Sequence, residues 1–270
     1  MKRYISILLV TVFMVVSSAQ ETAKVDEKGD ASETTTSFKE GEWLKFRIHF
    51  GFINAGFATL KLKKSKKDGT SLFHAVGKGW TSGAARMFFK VDDNYESFFT
   101  KKDIKPIQFK RRVNEDGYII KRDLFFDHQA QKVTINDLKK KTKKEVAIQE
   151  VQDMISAFYY LRNLDISNIE EGDTVAVDLF FDGETYPFKL EFIEKDIIKT
   201  KFGKIKTWRI KPLVQKGRVF EGQESLTIWI TDDENKLPVR IKASLVVGSL
   251  KADLDEFRGL ANSFNVVPEQ

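Results

Sequence analysis

Alternation of apolar and polar residues constrains this chain more than any other feature. Leu44, Phe46, Ile48 and Phe50 fall on one side of a period of two, with Lys45, Arg47 and His49 on the other. The same phasing holds in Ala58-Leu60-Leu62, Val175-Val177-Leu179-Phe181, Phe188-Leu190-Phe192, Leu226-Ile228-Ile230 and Val239-Ile241-Ala243-Leu245. A period of two means antiparallel strands with one face packed and the other wet. A slip of one residue would turn a whole apolar set toward water, so register is firm. Turn signals separate the runs: Lys67-Asp68-Gly69, Glu115-Asp116-Gly117, Asp182-Gly183 and Asp232-Asp233-Glu234-Asn235. One stretch departs from the pattern. From Asp153 to Arg162 the apolar residues Met154, Ala157, Phe158 and Leu161 sit at helical spacing, and Asp153 suits an N-cap. The chain is therefore expected to be mainly β: one large, strongly curved antiparallel sheet or open barrel, with a single central helix packed against it.

A weak repeat runs through the pattern. Gly41 and Gly172 each precede an alternating strand and hairpin, and Thr100 and Thr231 each precede a turn, a Pro and another strand; both pairs are 131 residues apart. The β-rich region, 38–270, then reads as one domain that could hold two related halves, 38–150 and 151–260.

The N-terminus reads as an export signal, residues 1–19. Lys2 and Arg3 precede an apolar run from Ile7 to Val16, and Ser17-Ser18-Ala19 supplies the small residues for cleavage. Cleavage near Ala19 would leave Gln20 first and place the protein in the periplasm or outside the cell. The run is shorter than the roughly 20 residues of a membrane span, and no later stretch reaches that length. With no Cys in the chain, disulfides, thiolate metal sites and a lipid-anchored Cys after the cut are all excluded. Residues 20–37 are poor in large apolar side chains and are expected to form a disordered leader. The whole chain carries a net charge of +6. The signal holds two of the positive charges and the leader is net −3, so the β-rich part is about +7.

Several motifs together resemble the bacterial domain of unknown function 3108. They are Gly41-Glu42-Trp43-Leu44-Lys45-Phe46 with Asn54-Ala55-Gly56-Phe57-Ala58, then Asp93-Asn94-Tyr95-Glu96-Ser97, Phe158-Tyr159-Tyr160-Leu161-Arg162, and Trp229-Ile230-Thr231-Asp232 with Leu237-Pro238-Val239-Arg240. The resemblance spans about residues 40 to 255. It implies an exported envelope protein of unassigned activity, shaped like the open curved sheet of lipoprotein carriers with a helix on its concave side. Fold likeness does not give function.

Residues suited to chemistry are sparse. His49, His74 and His128 are scattered and read as surface residues. Gly77 to Gly83 lacks the spacing of a phosphate loop and reads as a flexible connection or as room for close packing. Asp92, Asp93 and Glu96 form a candidate polar site, whether as acid and base or as oxygen ligands; equally they could begin a strand. No catalytic, cofactor-binding or metal-binding residue is assigned, and no cofactor is expected. Lysines cluster at 61–67 and 139–144, and Lys105, Lys110, Arg111 and Arg112 form a third basic patch, as solvated turn and edge charge or as peripheral contact with an anionic surface. Export disfavours nucleic acid as a partner.

Aromatics supply the last clue. The chain holds 23 Phe, including the doublets Phe88-Phe89, Phe98-Phe99, Phe125-Phe126 and Phe180-Phe181. A doublet on a strand puts a ring on each face, so both faces need cover: a second layer, a cavity or a partner. Candidate lining residues for an apolar cavity are Phe46, Ile48, Met154, Phe158, Leu161 and Trp208. Three readings follow: a binding protein for an apolar or amphiphilic envelope molecule, an envelope scaffold or assembly factor with a protein partner, and a carboxylate-dependent hydrolase.

Overall fold

A computed structural model of the chain describes residues 37–213, 226–244 and 248–268. The expected signal and nearly all of the expected leader lie outside the described residues. The described strands form one antiparallel sheet of 14 members. They run β1 Trp43–Phe50, β2 Ile53–Lys67, β3 Thr70–Thr81, β4 Asp92–Thr100, β5 Pro106–Glu115, β6 Tyr118–Asp127, β7 Lys132–Asp137, β8 Thr142–Ala147, β9 Thr174–Phe181, β10 Glu184–Thr200, β11 Gly203–Leu213, β12 Leu226–Thr231, β13 Pro238–Ser244 and β14 Ser249–Arg258. Every strand pairs with its chain neighbours, except that β1 also pairs with β14 while β8 and β9 are the edges. The two edge strands are thus consecutive in sequence, and the segment joining them carries the central helix, α2 Met154–Asn163.

The predicted turns form where both central residues can take φ > 0. Asp68-Gly69 (48° and 81°), Asp116-Gly117 (46° and 87°) and Asp182-Gly183 (49° and 94°) do so. This geometry matches the twist of two-residue hairpins. Alternation holds strand by strand: Leu44, Phe46 and Ile48 are buried, as are Ala58, Leu60 and Leu62.

The sheet is not closed by hydrogen bonds, yet side chains bridge its gap. Asp182, in the β9–β10 turn, accepts from Arg111 of β5 at 2.7 Å and from Arg122 of β6 at 2.8 Å. Phe180 packs edge-on against Phe126 of β6, with ring centroids 6.0 Å apart. Leu179 and Phe180 are therefore both buried, because at its C-terminal end β9 is covered on both faces.

Local geometry recurs at the positions of the weak sequence repeat. Gly41 and Gly172 take φ of 93° and 90°. Each donates to a carbonyl on the second strand of the hairpin that follows it, Leu62 of β2 at 3.1 Å and Phe192 of β10 at 2.7 Å. The Thr100 and Thr231 hydroxyls each accept a backbone N–H at 2.9 Å, from Lys105 and Leu237 respectively. In both loops the preceding residue, Ile104 or Lys236, has positive φ.

The central helix is as expected, and one sequence expectation needs correction. A second, short helix, α1 Gly83–Phe88, follows β3 away from the central one. The loop is tied by Arg86, which donates to the carbonyls of Thr81 and Val91 and to Asp92. Phe88-Phe89 therefore ends a helix rather than lying on a strand, and Phe88 is exposed. The strand doublets do put one ring inside, namely Phe99, Phe126 and Phe180. Cations cover the other ring of each: Lys110 sits 5.2 Å from Phe98, Lys67 5.6 Å from Phe125 and Arg111 4.7 Å from Phe181. The apolar stems of these long side chains and the attraction of a cation for a ring face do the work expected of a second layer.

Candidate functional site

Helix α2 is fixed at both ends by buried polar groups. At its start Asp153 accepts from the N–H groups of Ile155 and Ser156, while Ser156 Oγ accepts from the Asp153 N–H at 2.9 Å, a reciprocal capping box. Ser97 of β4 donates its hydroxyl to the same carboxylate. Burial pushes the Asp153 pKa up to about 6 against the pull of these donors. Just upstream, Gln152 pairs with the exposed edge of β9, donating to Asp178 O at 2.7 Å and accepting from Phe180 N at 2.8 Å. At its far end Arg162 forms a bidentate pair with Glu42, at 2.7 and 2.9 Å, and donates to the carbonyls of Asn235 and Ser37.

Held this way, the helix presents two apolar faces. Ile155 and Tyr159 point into the core beneath β3 and β4. Ile155 packs over Gly77 of β3, its Cδ1 3.5 Å from where a Cβ would stand, an ordinary contact distance. The Tyr159 ring packs 4.7 Å from Phe38 and 5.4 Å from Phe99. Its hydroxyl has no hydrogen-bond partner among the described residues, and burial holds its pKa well above that of an ordinary tyrosine.

The second face is the one legible in the sequence. Met154, Ala157, Phe158 and Leu161 line a cavity of about 140 Å³, opposite Phe46 of β1 and the concave face of β9–β13. Val175, Leu190, Phe192, Ile210, Ile228 and Ile230 contribute from successive strands. Of the 20 lining residues, 18 are apolar; the exceptions are Arg162 and Lys236. An apolar cavity of about 150 Å³ stays dry and admits a benzene-sized guest. The helix thus plugs the β1–β5 bowl with one face and leaves the β9–β13 bowl partly open beside the other.

Four of the six candidate lining residues meet here: Phe46, Met154, Phe158 and Leu161. Ile48 does not; it is buried in the main core. Trp208 does not line the cavity either; it is buried in one cluster with Leu190, Phe192 and Ile210, edge-on to Phe192 at 5.5 Å and beneath the Lys195 ammonium. The candidate polar residues are not brought together. Strand parity on β4 turns Asp93 inward and leaves Asp92 exposed. Asp92 pairs with Arg86, which holds its pKa low. Burial raises Glu96, but hydrogen bonds from His74, at 2.8 Å, and from Asn94 win and leave its pKa low. Asp93 is buried, which raises its pKa although the Asn114 N–H donates to it.

Sequence reasoning missed Arg162 and Lys236 as site residues. Glu42 and Arg162 are 120 positions apart, beyond any local pattern. Lys236 had one local signal, a lone cation between the acidic turn at 232–234 and the buried Leu237.

The family model described as "Protein of unknown function (DUF3108)" matches residues 45–255. The chain belongs to this family. No curated protein matches it. Among solved structures it is similar to a β-barrel-like protein of the domain of unknown function DUF1849 from Brucella abortus. That match has 10% identity, covers 81% of this chain and 97% of the other, and has a TM-score of 0.51. It is also similar to a protein described as a lipoprotein from Parabacteroides distasonis, at 13% identity, with 84% and 100% covered and a TM-score of 0.34. The first likeness shows a shared barrel-like fold. A DUF3108 domain, then, is here an open barrel with a helix across its bowl. No helix among the described residues is long and apolar enough to cross a membrane.

Proposed function

We propose that this DUF3108 protein is a non-catalytic binding protein of the cell envelope that holds an apolar or amphiphilic molecule between α2 and β9–β13. The observation that carries the reading is the cavity wall: 18 apolar residues of 20, beside a helix clamped at both ends. A preformed apolar hollow with a few placed polar groups is the usual form of a small-molecule site. The positive, apolar and small-residue pattern of the first 19 residues supports a place outside the cytoplasm. The direct test is native mass spectrometry, with lipid extraction, of protein purified from its own envelope. A chain starting at Gln20 and carrying a releasable apolar mass is expected. Protein that is empty, with no uptake of a fluorescent fatty acid, would remove the reading.

A second reading, contact with an envelope protein, draws on the β1–β2 turn and α1. Phe52, Met87 and Phe88 are exposed at 107%, 85% and 86%. The two segments lie side by side, since the Ser82 N–H before α1 donates to the Ala55 carbonyl of β2 at 3.0 Å, and a contiguous apolar patch of this kind marks a protein contact. Loss of partner crosslinking in Phe52→Ser and Phe88→Ser variants would support it; unchanged crosslinking would sink it.

A further inference from the structure

The cavity has two cations on its wall, and they differ in what already neutralises them. Arg162 is spent: four of its N–H groups are directed to Glu42, Ser37 and Asn235, and both partners of the ion pair are buried. Lys236 is not. Its Nζ donates to Ser37 Oγ at 3.2 Å, and no carboxylate lies within 4.0 Å of it among the described residues. Asp165, Asp233 and Glu234 act on it only from farther away. The backbone beneath Lys236 is fixed. Its N–H donates to Asp233, its φ is 46°, and the fully buried Leu237 follows.

We infer that the cavity takes a single-chain amphiphile whose compact anionic head docks on Lys236 while its chain lies between α2 and β9–β13. This inference rests on the apolar-ligand reading above and adds the head group, its place and the chain number. A carboxylate or phosphate at Nζ would supply the missing counter-charge through a charge-assisted hydrogen bond. An ammonium binds either as a point charge, whereas the forked geometry of Arg162 is already taken. Burial lowers the Lys236 pKa, which agrees with a cation short of partners and solvent. The volume of about 140 Å³ sits below the roughly 300–1,000 Å³ of drug-sized pockets. It accommodates the end of one chain and not the several chains of a bulky lipid.

The test is calorimetric titration of the full chain with octanoate and with 1-octanol, repeated in Lys236→Gln and in Lys236→Arg, which keeps the charge. Parent protein is expected to bind octanoate about tenfold more tightly than octanol. Lys236→Gln should lose that preference while keeping octanol affinity, and Lys236→Arg should retain most of it. Unchanged octanol binding in Lys236→Gln also shows that the variant is folded. Equal affinities in the parent would overturn the head-group assignment and leave the apolar reading standing. A preference that survives in Lys236→Gln would overturn the role of Lys236. Binding of neither probe would overturn the apolar-ligand reading itself.

Discussion

Removing one partner of the Glu42–Arg162 pair should be among the most damaging single changes in this protein. Glu42 is fully buried and the Arg162 side chain is 4% exposed, so neither charge can turn to water. Arg162→Met leaves a buried carboxylate without its partner, which costs about 3–5 kcal/mol. It also strips a donor from the carbonyls of Ser37 and Asn235, each worth about 1–3 kcal/mol if left unmade. At roughly 2–4 °C per kcal/mol for a chain of this size, the melting temperature should fall by about 10 °C or more. Glu42→Leu should cost a similar 3–5 kcal/mol, because it strands the guanidinium. The double variant removes both charges and leaves only the two carbonyls short, so it should lose less than the sum of the singles by at least about 1 kcal/mol. Chemical denaturation of all four proteins closes the cycle. Costs that add within about 0.5 kcal/mol would refute the claim that these charges are coupled, and with it the account of how α2 is anchored.

Three further outcomes follow from the same helix. The Asp153 pKa, about 6 when folded, exceeds the unfolded value near 3.9, so the native state binds the extra proton and stability falls as pH rises from about 4 to 6. Asp153→Asn, which can still cap the helix, should flatten that slope; denaturation across this pH window decides it. Tyr159→Phe removes a buried hydroxyl that lacks a partner and should be neutral or stabilise by about 1 kcal/mol; a loss above 1 kcal/mol in urea denaturation would show that the hydroxyl is satisfied. Phe158→Ala should cost less than the roughly 3–5 kcal/mol of a solid core site, because the ring borders existing space, and it should change uptake of a fluorescent fatty acid. A full core-sized loss in thermal melts, without probe uptake by the parent, would count against the cavity.

The sheet was legible because period-two patterning is a local property. Leu44, Phe46 and Ile48 declare their face within five residues, and Asp-Gly pairs declare the turns. The N-cap at Asp153 was legible for the same reason. The apolar stripe Met154, Ala157, Phe158 and Leu161 was legible as the face toward the cavity, because helical spacing is local. What stayed hidden depends on distance in sequence. Ile155 and Tyr159, which bear on the core, were not singled out. Nothing local says which bowl of the curved sheet is filled and which is left open. The separation of Asp92 from Asp93 follows from strand parity, and the sequence held that signal. The covering of Phe98 and Phe125 by lysines did not show, because those cations come from other strands.

The pairing of β1 with β14 has a consequence for the order in which this molecule can be assembled. Lys45 meets Glu256 across 211 positions, so the first strand made waits for the last. Hairpins from β1 to β8 can form early, because each closes a short loop. Until β14 arrives, however, β1 presents an unpaired row of backbone donors and acceptors, which is a template for the wrong chain. Such long-range pairings are also slow to form. The finished molecule guards its native edges well, with exposed Lys143 and Lys144 on β8 and the Gln152 bridge on β9. Its weakest moment is therefore the interval before the seam between first and last strands zips shut. A circular permutant opened between β8 and β9, with the old ends joined, would make that seam a local one.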